Sequence, residues 1–571
     1  MILSPKSKID ECMRRGWWGR ETLDDVFRRN AARVPQRLAV ADAPNRAKVC
    51  DGAPRRLSYA ELDREVGALA AGLRARGIGR DDIVLVQMPN VSEMLALILA
   101  CARIGAVVSP VAVQYRENEL AWVIDKLAPR AAFTVTRCGE FAMAAMMAGL
   151  LRGRPGCPLY AWGEDLPGGA LAARTLLEAG SAPAAPGSSD RPDANDILTI
   201  CWTSGTEATP KGVPRSHNHW IAIGRVVAAA PRLQDGEVLL GSFPMINMAA
   251  IGGVMVPWLL CAGTMVLHHP FELPVFLGQI QQERVNYNLV PPPILNALIR
   301  QPEALRQFDI SSLRAVCSGS APLAPWMVRA WQETHGIGII NYFGSNEGVA
   351  LASSVHDVPD PDERASFFPR YGVAGLSWSA GDAISFETRL REPATGRIIV
   401  SPGEVGELCI RGATVFEGYF GDDEKTRQAF DADGYFRTGD LFSIAGEGPP
   451  YRFYKFSGRS KELVIRGGQN ISPAEVDNLI AEHSAVAEVA CVGVPDEAMG
   501  ERLCAVVVLR PGSALTLEGL KEHMQARHVA IFKWPERLVL LPQLPRNPVG
   551  KIVRGELRQR VLDRLAAGEG A

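Results

Sequence analysis

Ile197-Leu198-Thr199-Ile200-Cys201-Trp202-Thr203-Ser204-Gly205-Thr206-Glu207-Ala208-Thr209-Pro210-Lys211-Gly212 runs from an apolar, strand-length segment straight into a loop of hydroxyls, glycines and one lysine. The run Ile197 to Trp202 has the composition of a buried strand. In the loop, glycine lets backbone amides turn inward, hydroxyls add donors, and Lys211 supplies a point charge. That set suits a polyphosphate. It is not a Walker A loop, because Pro210 stands five positions after Gly205 and Gly212 follows Lys211. Neither GxGxxG nor GxSxG occurs. Read alone, the loop fits a phosphate cradle or a surface loop.

Outward from this strand, the first half alternates helix and strand signals. Ser58-Tyr59-Ala60-Glu61 is a capping-box pattern, followed by Leu62, Val66, Leu69, Ala70 and Leu73 at helical spacing, with Gly77 as the stop. Ile83 to Val86 reads as a short buried strand. Asn90-Val91-Ser92-Glu93 reads as a second capping pattern opening a helix through Met94, Leu97, Ile98 and Ala102. Such alternation predicts a mainly parallel sheet covered by helices. Residues 166–195 are rich in Pro, Gly, Ala and Ser, a connector composition. From about Gly458 the texture changes: Ser472, Pro473 and Glu475 form a third capping pattern, and strands are expected at 486–494 and 503–509. The prediction is an α/β chain with a large, multi-subdomain N-terminal domain (1–460) and a small α+β C-terminal domain (461–571).

Composition narrows the function. The 571 residues carry 61 basic and 63 acidic side chains, a formal charge of −2, which argues against nucleic acid or an anionic membrane held by bulk charge. The 11 cysteines contain no CxxC, and their scatter predicts reduced core thiols in the cytoplasm. Residues 1–20 are polar and basic without an apolar centre, so no secretory signal is expected. The apolar stretches are interrupted by Arg103 and Pro257, so no integral membrane segment is expected either. His217/His219 and His268/His269 lack a third ligand at metal spacing and read as structural.

Five further segments stand downstream in order. Thr203–Gly212 resembles the phosphate loop TSGTTGxPKG of the adenylate-forming superfamily, which includes acyl-CoA synthetases, aryl-acid adenylating enzymes, peptide-synthetase adenylation domains and luciferases. Glu207 and Ala208 depart from that form. Ser318-Gly319-Ser320-Ala321-Pro322-Leu323 resembles GGAPL, and Asn341-Tyr342-Phe343-Gly344-Ser345-Asn346-Glu347 resembles QxYGxTE. Tyr435-Phe436-Arg437-Thr438-Gly439-Asp440 resembles YxTGD. Gly458-Arg459-Ser460-Lys461, with Arg466-Gly467-Gly468-Gln469-Asn470-Ile471-Ser472-Pro473-Ala474-Glu475, resembles GRxKDxIxxGGxNIxPxE. Leu544-Pro545-Arg546-Asn547-Pro548-Val549-Gly550-Lys551-Ile552 resembles LPRTxxGKI. The resemblance spans about residues 20–557.

The resemblance implies ATP, Mg2+ and coenzyme A as cofactors, and the roles that follow. Thr203, Ser204, Gly205, Thr206 and Lys211 cradle the phosphates, and Glu347 holds Mg2+ against them. Glu207, a negative charge near that anion, is expected to point outward or brace an amide. Gly319, Ser320, Ala321, Pro322, Tyr342, Gly344 and Asn346 belong to the nucleotide site. Phe343 stacks on adenine and Asn341 reads its amino group. Asp440 accepts the ribose hydroxyls with help from Arg459. Lys551 stabilises charge as the acyl-adenylate forms. Lys461 is the hinge about which a mobile C-terminal domain swings, and Gly467 and Gly468 line the thiol channel.

The acyl pocket is implied at Ser242 to Gly253, with Phe243, Asn247, Met248 and Ser318 as lining. Asn247 stands where the family's segment usually has histidine. Its surroundings are apolar and uncharged, which predicts a neutral substrate tail. Asn247 either hydrogen-bonds a ring substituent or satisfies a nearby backbone group. The chain is thus expected to be an ATP-dependent acid:CoA ligase. Trp17–Leu23 and Val86–Asn90 look most like the branch of aryl-acid adenylating enzymes and cyclohexanecarboxylate-type CoA ligases, which bends the substrate towards an aromatic, alicyclic or medium-chain acid. A stand-alone enzyme loading a carrier-protein phosphopantetheine thiol is the alternative, and a non-catalytic nucleotide-binding protein a third. A homodimer is among the assemblies the resemblance allows.

Overall fold

The structure is a computed structural model that describes the chain except residues 180–190, 204–209, 460–461, 467–468, 497–498, 528, 530, 548–549 and 568–571. Among the described residues four sheets organise it. A seven-stranded sheet runs in the order Ala170–Ala172, Leu159–Trp162, Ala131–Val135, Ile83–Gln87, Val107–Pro110, Ile197–Thr203, Lys211–Ser216. It is parallel up to Ile197–Thr203, which pairs antiparallel with Lys211–Ser216. An eight-stranded sheet is parallel from Ile339–Gly344 through Ala315–Gly319, Tyr287–Leu289, Val238–Gly241 and Thr264–Leu267 to Leu38–Ala41, with an antiparallel strand at each edge. The expected βα alternation is therefore present twice.

The helix Ser92–Ile104 explains how the two large sheets share one core. Nearly every residue in it is buried, the signature of a helix with apolar contacts on all sides. One cluster runs from Val84 and Val86 of the first sheet through Leu95, Leu97 and Leu99 to Leu239, Met265 and Leu267 of the second. Each such aliphatic side chain contributes about 1.5–3 kcal/mol on burial. Gly105 stops the helix in the left-handed conformation, φ 77°. At its start the capping expectation fails: Val91 is the N-cap, and its own side chain makes no cap bond. The Ser92 amide instead donates to Asp42 Oδ1 at 2.8 Å, because Asn90 is committed elsewhere. At Ser58 the expectation holds, with Ser58 and Glu61 satisfying each other's backbone amides.

The third sheet is antiparallel, ordered Phe367–Pro369, Phe453–Arg459, Phe436–Ala445, Val405–Gly412, Phe386–Arg391, Ile398–Ile399. The fourth, ordered Gln469–Ile471, Val464–Arg466, Gly500–Leu509, Val486–Asp496, also takes Arg537–Leu540 beside Gly500–Leu509. With the helices Pro473–Ala481, Leu517–Ala526 and Arg554–Ala566 it makes a small α+β unit with its own core. The chain thus leaves the third sheet at Arg459 and enters the fourth at Val464. All 11 cysteines are free thiols, and every one except Cys138 is buried. Among the described residues no helix is long and apolar enough to cross a membrane.

The histidines are structural partners. His217 Nδ1 accepts the Leu23 amide at 3.2 Å, and His268 is held between Gln279 and the Glu272 amide. Burial pushes His217, His219 and His269 down from 6.5 to about 4. Their stabilising effect is therefore complete above pH 6.5 and is lost as pH falls towards 4. Thermal melts should show a flat Tm above pH 7 and a decline from about pH 6.5 downward. A Tm unchanged at pH 4.5 would show that the native rings protonate freely.

Candidate active site

The strand pair that carries the phosphate loop closes at Thr203 opposite Lys211. Ser204, Gly205, Thr206 and Glu207 lie outside the described residues. The Lys211 ammonium sits 5.0 Å from the centre of the Tyr419 ring. On the same tyrosine, the hydroxyl donates to Glu347 Oε1 at 3.1 Å, and the Phe416 amide donates to the Glu347 carbonyl at 3.0 Å. The loop lysine and the carboxylate thus meet through a residue that sequence motifs did not flag. Gly348 has φ 119°, and a Cβ there would run into the Thr414 carbonyl, so only glycine can follow Glu347.

Among the described residues no three His, Cys, Asp or Glu side chains form a metal cage. Mg2+ does not need one: it retains waters and binds through one or two carboxylates plus substrate phosphates. A single carboxylate, oriented by the tyrosine that Lys211 also approaches, would fit an ion that arrives with ATP.

The nucleotide segments come together on neighbouring strands. Gly319 lies opposite Tyr342, and a Cβ on Gly319 would collide with the Tyr342 carbonyl. Ser320 then adopts φ 72°, an uncommon conformation for a side-chain-bearing residue, and Ser320, Ala321 and Pro322 are exposed. Asn341 Nδ2 donates to the carbonyls of Arg364 (3.2 Å) and Ala365 (2.8 Å). Both amide hydrogens are used, which leaves Oδ1 as the acceptor that an adenine amino group needs. Phe343 packs among Phe368, Phe442 and Phe456, with centroids 5.7, 5.0 and 5.8 Å away. Tyr342 donates to the Val227 carbonyl at 2.8 Å. Ser318 is fully buried with its hydroxyl donated to the Val290 carbonyl at 2.8 Å.

Asp440 and Arg459 are cross-strand partners in the antiparallel sheet, and Asp440 is buried. Opposite Thr438-Gly439-Asp440 the register shifts between Glu407 and Cys409, a bulge that re-aims the aspartate. Glu407 holds this bulge, accepting from the Gly439 amide at 3.0 Å and from Arg437 Nε at 3.0 Å. It too went unflagged, because a glutamate in a strand has no motif.

The segment expected to line the acyl pocket is hydrogen-bonded to the segment expected at the nucleotide. Asn247 Oδ1 accepts from the amides of Ala249 (3.1 Å) and Ala250 (3.4 Å), so its carbonyl satisfies backbone. Asn346 Oδ1 accepts the Met248 amide at 2.8 Å. A Cβ added at Gly252 would stand 2.9 Å from the Met248 sulfur, and one added at Gly344 would stand 3.8 Å from its Cγ. Ile251–Met255 is π-helical, a form often kept at functional sites, and Tyr287 donates to the Gly253 carbonyl at 2.7 Å. Asn90 fixes the other flank, donating to the Phe243 carbonyl (2.8 Å) and accepting from the Met245 amide (2.9 Å). Asn346→Ala removes one cap worth about 1 kcal/mol. The expected result is a roughly fivefold rise in KM for the acid with KM for MgATP nearly unchanged. A rise in KM for MgATP alone would show that Asn346 serves the nucleotide instead, and equal effects on both would end its assignment to the acid.

Lys551 is held in a tight turn. Asn547 Oδ1 accepts the Lys551 amide at 2.9 Å, the Asn547 amide donates to the Lys551 carbonyl at 2.8 Å, and Gly550 has φ 81°. Lys461, Gly467 and Gly468 lie outside the described residues.

Comparison with known proteins gives the class. The sequence model of "AMP-binding enzyme" matches residues 27–420, and that of "AMP-binding enzyme C-terminal domain" matches residues 475–551. The chain belongs to this adenylate-forming family; it is an AMP-forming acid–thiol ligase. It is 30% identical to the medium-chain fatty-acid–CoA ligase of Escherichia coli over 96% of this chain and 92% of that one. It is 32% identical to the feruloyl-CoA synthase of an Amycolatopsis species, over 88% and 94%. The crystal structure of ATP-bound MatB from Rhodopseudomonas palustris superposes with a TM-score of 0.78 at 26% identity, covering 95% of this chain and 99% of that one.

Proposed function

We propose that the protein is an acid:CoA ligase that joins a neutral, apolar carboxylic acid (aromatic, alicyclic or medium-chain) to coenzyme A by way of an acyl-adenylate. The observation that carries this reading is the junction at Met248, where the amide of the apolar segment Phe243–Gly253 is tied to Asn346 Oδ1. A carboxylate whose tail fills the apolar segment would there face the α-phosphate of a nucleotide held by Asn341, Phe343 and Asp440. In the first half-reaction a carboxylate oxygen bonds to the α-phosphorus and the bond to pyrophosphate breaks. Lys211 and the loop Thr203–Thr206 hold the departing phosphates, and Lys551 balances charge on the transferring group. Magnesium, held at Glu347, supplies neutralisation of the phosphate oxygens. In the second half-reaction the thiol sulfur bonds to the acyl carbon, its proton leaves, and AMP departs.

The names of the relatives support the substrate class, since medium-chain and aryl-propenoic acids share an uncharged tail. Eleven unpaired thiols support a reducing, cytoplasmic setting. The test is pyrophosphate release over a panel of aromatic, alicyclic and C6–C12 acids, with coenzyme A and a phosphopantetheinylated carrier protein compared as acceptors. Thioester formed on coenzyme A with an uncharged acid supports the reading. Transfer to the carrier protein alone, or release only with a dicarboxylic acid, would replace it.

A further inference from the structure

The first eighteen residues touch the span that holds Glu347. Three consecutive carbonyls there are each fixed by a different side chain. Trp18 Nε1 donates to Ala413 at 3.1 Å, Arg215 Nη1 to Thr414 at 2.6 Å, and Lys8 Nζ to Val415 at 2.8 Å. Two of the three donors come from the N-terminal arm. Lys8 also pairs with Glu417 Oε1 at 2.6 Å, and Ser4 donates to the same oxygen at 2.9 Å. From the inside, His219 faces that oxygen: its Nδ1 accepts the Ser216 amide, so Nε2 carries the hydrogen, 3.5 Å away. The next residues in the span are those that grip Glu347, through the Phe416 amide and the Tyr419 hydroxyl.

We infer that Lys8 is a positioning residue for the magnesium carboxylate: by anchoring Val415 and Glu417 it sets where Phe416 and Tyr419 stand, and through them the orientation of Glu347. This rests on the reading of Glu347 given above. The arrangement is built rather than incidental. Arg215 is fully buried in the centre of the arrangement, with Nε and Nη2 unpartnered and its guanidinium 5.3 Å from the Trp220 ring. A guanidinium confined in this way cannot follow the span if it shifts. The opposite face of the span is open to the arm, whose Trp18 ring meets His219 edge-on at 5.3 Å and packs with Cys12, Ala222 and Ala413. Partners that orient a metal-binding carboxylate commonly change metal affinity 10–100-fold when lost.

The test is a titration of Mg2+ at fixed ATP, read as the rise in Tm of the full-length protein, with pyrophosphate release as a second readout. Lys8→Met should raise the half-saturating Mg2+ concentration about tenfold, and Lys8→Arg should keep it within about threefold of wild type. Ser4→Ala, a milder change on the same oxygen, should move it about twofold in the same direction. Arg15→Gln is the control, because it cuts the arm's ion pair to Glu387 instead; it should lower Tm and leave the Mg2+ requirement alone. Lys8→Met that melts earlier but keeps the wild-type requirement overturns the inference, as does an equal shift in Arg15→Gln. Glu347→Gln is titrated in parallel. If it too keeps the wild-type requirement, the reading of Glu347 falls and this inference with it; if it alone shifts, only the role of Lys8 falls.

Discussion

Lys551→Ala is expected to cut pyrophosphate release about a thousandfold, roughly 4 kcal/mol of transition-state stabilisation, while thioester formation from a supplied acyl-adenylate stays within about threefold. The residue sits at the end of a turn whose backbone is pinned on both sides, by the Asn547 carboxamide and by the Asn547 amide. Arg546 closes the same turn from outside, donating to the Gly550 carbonyl at 2.7 Å and pairing with Glu488 at 2.8 Å. In adenylation a carboxylate approaches a polyphosphate, and the repulsion has to be offset at the transferring group. In thiol transfer the pyrophosphate has gone and the leaving group is AMP, a single stable anion. The two half-reactions, assayed separately, decide the matter. Equal loss in both would end the assignment of Lys551 to the adenylation step alone.

Glu347→Gln should lower kcat/KM for MgATP about a hundredfold, near 2.7 kcal/mol, and make the remaining rate depend steeply on Mg2+. The substitution keeps shape and leaves an oxygen to accept from Tyr419, so the protein should melt within about 2 °C of wild type. Only the charge disappears. A neutral amide is a weak ligand for a hard cation, which wants carboxylate and phosphate oxygens. Steady-state kinetics over a range of free Mg2+ measure the effect. An unchanged Mg2+ dependence would take Glu347 out of the metal site and leave it as a brace for Tyr419.

The local signals in this chain were clear wherever one segment does its work by itself. The capping box at Ser58 and the buried strand Ile197–Trp202 each correspond to an element in the structure. Where a side chain is spent on a distant partner, the local reading went astray. Asn90 looked like part of a helix cap, yet it holds the acyl segment more than 150 positions away. Asn247 was open between two roles, and its carbonyl oxygen went to the backbone of its own short helix.

The sequence by itself therefore determined the class of chemistry, because phosphate loops, glycine turns and a lysine-bearing turn are short-range devices whose residues must stand at fixed spacing. Only the tertiary structure decided how those devices join. Tyr419 links Lys211 to Glu347, Glu407 shapes the bulge at Asp440, and Asn346 ties the turn after Ile339–Gly344 to Met248. Lys8 reaches the same span from the other end of the chain. These partners are single residues of common type, brought together by sheets whose strands are far apart in sequence. Their roles are set by hydrogen bonds that exist only after the core has closed.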